Sequence, residues 1–133
     1  MRFFTSNFKW LMLAAGLLTC TMIQALIFPE ASIQSNFGQS PDGHLFELIV
    51  RNWGALIGLE GVMLIYGAFV ESVRRFVLVM AGSSKRVFIV LVLTAQESYL
   101  SFGAGTAIIV DSIIVILFAV YLLATQNRSE AKN

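Results

Sequence analysis

Cysteine and histidine are all but missing from this sequence. Cys20 and His44 occur once each, which excludes an internal disulfide, a CxxC redox pair, a haem held by two histidines and a histidine-rich metal site within one chain. Charge is scarce as well. Only 13% of the 133 residues are charged, about half the share usual in a soluble domain. The net charge is +1 and no basic cluster carries interleaved aromatics, which argues against a nucleic-acid surface. No glycine-rich phosphate loop follows a strand pattern, and Ser83-Ser84 has no histidine at its depth to act as a base. The residues point away from an enzyme, and they name no cofactor.

What is present is apolar surface. Hydrophobic residues make up 57% of the chain, with a mean hydropathy of +0.78. Runs of about 20 apolar residues suffice to cross the hydrocarbon core of a bilayer. Four such runs fill the sequence: Trp10–Phe28, Leu48–Val70, Phe76–Ala95 and Phe102–Ala124. They leave no room for a separate soluble domain. A positive start followed by an apolar run also describes a signal peptide, but the first run is longer than a usual h-region and lacks a clear A-x-A site. It is read as a retained helix.

The connections alternate in charge. Arg2 and Lys9 precede the first run, Arg74-Arg75 lie in the second connection, and Arg128 and Lys132 follow the last run. The segment 29–47 and the turn from Gln96 to Ser101 carry acids and no Lys or Arg. By the positive-inside rule both termini are cytoplasmic and segment 29–47 is external. The expected fold is all-α: an integral membrane four-helix bundle running up-down-up-down. Ser40-Pro41-Asp42 reads as a helix start, with Ser as N-cap and Pro in the first turn. The second helix would then begin near Pro41, and Glu47 and Arg51 would pair at i,i+4 on its projecting part.

The third run contains Ser83-Ser84-Lys85-Arg86. Its apolar residues favour insertion by about 6 kcal/mol in all, and two basic residues at about 2.5 to 3.5 kcal/mol each nearly cancel that. The alternative is a re-entrant corner at 83–86, but the flanking pieces of about ten residues are too short to cross separately. A single span follows.

Glu60 in the second run, Lys85 in the third and Asp111 in the fourth then fall within about a turn of one another in depth. Two acids and two bases at one level can neutralise each other. Lys85 and Arg86 diverge by about 100° and cannot face the same neighbour. Lys85 is placed inward, on a stripe with Gly82, Ile89 and Gln96, and Arg86 faces another helix or reaches toward an interface. Gln24 in the first run is a further candidate for the network or for a simple interhelical hydrogen bond. Intramembrane ionisable groups of this kind mark either a proton, ion or ligand site or an ion-pair network that fixes helix order. The candidate residues are Glu60, Lys85, Asp111, Arg86, Gln24 and Arg51.

Gly54, Gly58 and Gly61 share one face of the second helix, where small residues let backbones approach closely. Packing inside the bundle is expected there rather than a dimer seam. Ala104, Ala107, Asp111, Val115 and Phe118 form a comparable face on the last helix. Trp10, Trp53 and Tyr99 read as anchors at the membrane interface, and His44 as a solvated residue.

The pattern Arg51-x-x-Gly54, then Gly58 and Glu60, with a Lys in the third run and an Asp in the fourth, weakly resembles DoxX-like proteins. These are small four-helix bacterial inner-membrane proteins, some tied to sulfur or quinone redox complexes. The resemblance implies a multi-pass protein of the bacterial inner membrane. The missing CxxC pair departs from thiol-redox chemistry, and no catalytic residue is carried over. The leading function is an accessory subunit or a binding module for a lipid-like ligand. The alternatives are a quinone-linked oxidoreductase subunit and a proton-coupled small transporter. The expected partners are the lipid bilayer and either another membrane protein or a second copy of the chain.

Overall fold

The computed structural model describes residues 2–40, 42–95 and 98–130. Those residues are all-α, with four helical rods long and apolar enough to cross a membrane. The first is α1 (Arg2–Cys20), which passes through a 3-10 turn (Thr21–Ile23) into the short α2 (Gln24–Ile27). The others are α4 (His44–Phe69), α5 (Glu71–Thr94) and α6 (Gly103–Glu130). A shorter helix of 9 residues, α3 (Pro29–Phe37), lies between the first rod and α4.

Each boundary has a local cause. Thr19 and Thr21 turn their hydroxyls back onto the carbonyls of Ala15 and Leu18, at 2.8 and 2.6 Å. Such back-bonding loosens the α-helical ladder, and the 3-10 turn begins there. Phe28 leaves the helical region and Pro29 starts α3 at its first position, where a missing N–H costs nothing. Gly38 ends α3 at φ 68° and donates its N–H to Gln34 O, a left-handed cap that favours glycine. The Phe102 ring packs against this glycine. Between α4 and α5 the single extended residue Val70 makes the turn.

Three expectations need correction. The connection 29–47 is not a plain polar loop, because Pro29–Phe37 is helical with Pro29, Ser32 and Ile33 buried. The second long helix starts at His44 rather than near Pro41: Gly43, at φ 94°, stands at the N-cap without any side-chain cap. Pro41 itself lies outside the described residues, as do Gln96, Glu97 and Lys132. The first helix starts at Arg2, well before the apolar run at Trp10. Residues 83–86 lie inside an unbroken α5, so no re-entrant corner forms there.

The rods pack antiparallel to their neighbours. Along α1 to α2, Met12, Gly16, Cys20 and Ala25 meet Gly67, Gly61, Gly61 and Gly54 in descending order. At Gly16 and Gly61 the approach is so close that an added methyl would sit 2.8 Å from the Gly61 or Gly16 carbonyl oxygen. The glycine face thus serves packing within the bundle. Between α5 and α6, Arg74 meets Tyr121 and Lys85 meets Asp111.

One end of the bundle is filled by Phe8, Met12, Leu64, Leu78 and Phe118, all buried. Phe8 stacks on Tyr121 with ring centroids 3.8 Å apart. Arg74 closes this end. Buried, it donates to Gly67 O at 3.0 Å and Ala68 O at 2.9 Å, satisfying carbonyls that the end of α4 leaves open. The outer faces are mostly apolar, with Leu17, Leu59, Val79, Leu91, Ile113 and Leu123 among many exposed hydrophobic side chains.

Candidate functional site

The other half of the bundle is hollow. A cavity of about 250 Å³ runs between the rods, lined on its apolar walls by Leu18, Met22, Ile57, Phe88, Ala107 and Val110. Its floor is polar, formed by Thr19, Glu60, Ser84, Lys85 and Asp111. Its far end meets Asn36 and Phe37 of α3, Trp53 of α4 and Gly103 at the start of α6. Trp53, Ile57 and Glu60 follow one another at i, i+4 and i+7, so floor and far end are separated by about 10 Å along α4.

Lys85 holds the floor together. Its ammonium donates to Asp111 Oδ1 at 2.8 Å and to Thr19 Oγ1 at 3.3 Å. Glu60 Oε1 is 3.8 Å away, close enough for attraction but beyond a hydrogen bond. Four elements therefore converge: Thr19 from α1, Glu60 from α4, Lys85 from α5 and Asp111 from α6. Gly82, Lys85 and Ile89 do form the inward stripe, with Gly82 and Lys85 buried and Ile89 packed against the core beside Val92 and Ala104.

Glu60 is only partly satisfied. Its Oε1 is buried with no hydrogen-bond partner among the described residues. Counting formal charges, the floor holds two carboxylates and one ammonium. It is one cation short.

The remaining candidates lie apart. Arg86 is exposed on the outer face of α5, about 100° away from Lys85, and has no ion-pair partner among the described residues. Gln24 is exposed and does not line the cavity. Arg51 pairs with Glu47 at 2.6 Å, as the i,i+4 spacing requires, and also donates to Leu26 O at 3.1 Å. It ties α4 to α2 rather than reaching the floor. No cluster of three metal-ligating side chains exists among the described residues.

The candidate set drawn from the sequence left out Thr19, Ser84, Phe37, Trp53 and Phe88, all of which line the cavity. Trp53 is not a simple interface anchor: it is half-buried against Phe37 and lines the cavity. Tyr99 likewise packs edge-on to Phe37. Trp10 is 58% exposed, with the Lys9 ammonium 5.3 Å from its ring centroid. Thr19 had a signal. Phe8, Met12, Ala15 and Thr19 recur at helical spacing, so Thr19 shares the buried face of α1 while Gln24 does not.

No known family, curated protein or solved structure matches this chain. The DoxX-like resemblance gains no support from them.

Proposed function

We propose that the chain is a multi-pass membrane protein that binds one small, lipid-like amphiphile in the cavity between its helices. The single observation behind this reading is the cavity's polarity: apolar walls about two turns long, with every charged group at one end. Ligand sites are typically apolar clefts with a few convergent polar groups. Membrane insertion is supported by the exposed faces. Leu56, Leu59, Ile109, Ile116 and Leu123 are each about 60% exposed, and monomeric soluble proteins rarely display apolar surface on that scale.

The four rods are taken to cross the bilayer with both termini in the cytoplasm, by the distribution of basic residues. The cavity then lies in the external half, beneath α3. Placement in a bacterial inner membrane rests on the DoxX-like resemblance alone. The role is non-enzymatic, as a binding module or as an accessory subunit to another membrane protein or a second copy. Proton-coupled transport is the second reading, and one observation favours it: a carboxylate with an unpaired oxygen in a mid-helix cavity. Nothing in the site adds to the quinone-linked alternative.

Mass spectrometry of protein released from mild detergent tests the main reading. A co-purified single-chain amphiphile is expected, and it should be lost in Ala107→Phe, which fills the cavity. Retention of the same molecule by Ala107→Phe would place it elsewhere. Proton flux in liposomes, abolished by Glu60→Gln, would favour the second reading.

A further inference from the structure

The charge count on the cavity floor names the ligand's head group. We infer, resting on the ligand-binding reading above, that the cavity accepts a singly charged primary amine, its ammonium seated at Glu60 and its apolar tail directed toward Phe37 and Trp53.

Three observations carry this. Lys85 donates to Asp111 and Thr19 and reaches Glu60 Oε1 only at 3.8 Å, so a single ammonium is shared between two carboxylates. Glu60 Oε1 is buried and has no hydrogen-bond partner among the described residues, and buried polar atoms in native proteins are nearly always paired. No other cation of the described chain supplies the missing group. Arg51 is bound to Glu47 and Leu26, Arg74 to Gly67 and Ala68, and Arg86 lies on the outer face.

A ligand that meets these conditions donates a hydrogen bond and carries one positive charge. A neutral alcohol meets the first condition only. An anionic head would set a third negative group beside Glu60 and Asp111, and like charges at such distances repel strongly in a low dielectric. Phe37 and Trp53 give the far end aromatic walls, which suit the apolar tail.

Shape limits the tail. About 250 Å³ spread over about 10 Å of helix leaves a cross-section of about 25 Å². One extended alkyl chain or one flat ring fits; a two-chain lipid does not.

Hexylammonium, 1-hexanol and hexanoate have tails of similar length and differ in the head. With Trp10→Phe as background, Trp53 is the remaining tryptophan and its fluorescence reports the cavity. Hexylammonium should give a saturable change with a Kd at least about tenfold below that of 1-hexanol, and hexanoate should give none. Glu60→Gln should erase the preference while leaving the response to 1-hexanol. Equal binding of the amine and the alcohol, or a preference that survives Glu60→Gln, overturns the amine assignment and leaves the cavity reading standing. No saturable response to any of the three overturns both. If Glu60→Gln does not fold, the unsubstituted protein still decides. Carbodiimide activation in the presence of hexylamine should join the amine nitrogen to the Glu60 carboxyl carbon with release of the urea, and peptide mapping should find the amide there. Its absence from Glu60 overturns the assignment.

Discussion

At the scale of single residues, Lys85 is the pivot of the site, and the three charges that meet there are not equivalent. Removing one partner of a buried ion pair costs about 3–5 kcal/mol, whereas replacing both with apolar groups is often nearly neutral. The net count refines this. Lys85→Met leaves two carboxylates facing each other, Asp111→Leu leaves Lys85 with Glu60 at 3.8 Å, and the double change keeps the original balance of one negative charge. Thermal stability in detergent should therefore fall most for Lys85→Met, less for Asp111→Leu, and should largely return in the double variant. An Asp111→Leu protein less stable than Lys85→Met would show that the hydrogen bond matters more than the charge count. Thr19→Val removes both the 3.3 Å contact from Lys85 and the 2.8 Å hydrogen bond to Ala15 O and should cost about 1–2 kcal/mol. Up-down helices of known length put Glu60, Lys85 and Asp111 at one depth, so these three were legible from the chain. Which side chains line the space between them depends on the rotation of each helix, and a uniformly apolar sequence fixes that rotation weakly. Trp53 was misread for this reason, since an aromatic near a helix end suits both an interface and a cavity wall.

At the scale of elements, the closest contact is between α1 and α4, and it is made by backbone. A methyl on Gly61 would stand 2.7 Å from the Cys20 nitrogen and 2.8 Å from the Gly16 carbonyl oxygen. One on Gly58 would meet only the Ile23 side chain, at 3.3 Å. Gly61→Ala should therefore lower the melting temperature clearly and Gly58→Ala hardly at all, although both glycines are buried. The reverse order would mean that the helices are registered differently. The spacing of Gly54, Gly58 and Gly61 identified the face; which glycine bears on backbone was set by the 3-10 turn in the partner rod, which no spacing announced. The turn between α4 and α5 gives a second case. Arg74 looked like one half of a basic loop, but its guanidinium caps the end of α4 and touches the Tyr121 hydroxyl at 3.3 Å. Arg74→Ala should cost about 2–3 kcal/mol, since hydrogen bonds from a charged donor are the stronger kind. The neighbouring Arg75→Ala, exposed, should leave stability unchanged.

At the scale of the whole molecule, orientation decides which side can load the cavity. Arg2, Lys9, Arg75 and Arg128 gather at the end of the bundle that is filled by Phe8 and Phe118, while α3 and the acids Glu30, Asp42 and Glu47 lie toward the cavity end. Arg51 sits on that second side, but its salt bridge to Glu47 neutralises it, and Arg74 is engaged within the fold. The surplus of Lys and Arg therefore lies at the filled end, the end that the proposed orientation puts in the cytoplasm. Topology can be read with single cysteines placed in a Cys20→Ser background. A membrane-impermeant maleimide added outside intact cells should label Gln39→Cys and should not label Asn127→Cys. Labelling of Asn127→Cys alone would turn the molecule over and open the cavity toward the cytoplasm; labelling of both from outside would mean that an even number of crossings separates them instead of the three expected. With the expected orientation, hexylammonium added outside proteoliposomes that hold right-side-out protein should change Trp53 fluorescence without a lag, because the cavity is nearer that surface. A lag that shortens when the probe is enclosed in the lumen would place the entrance on the filled side, where Phe8, Met12 and Phe118 leave no path.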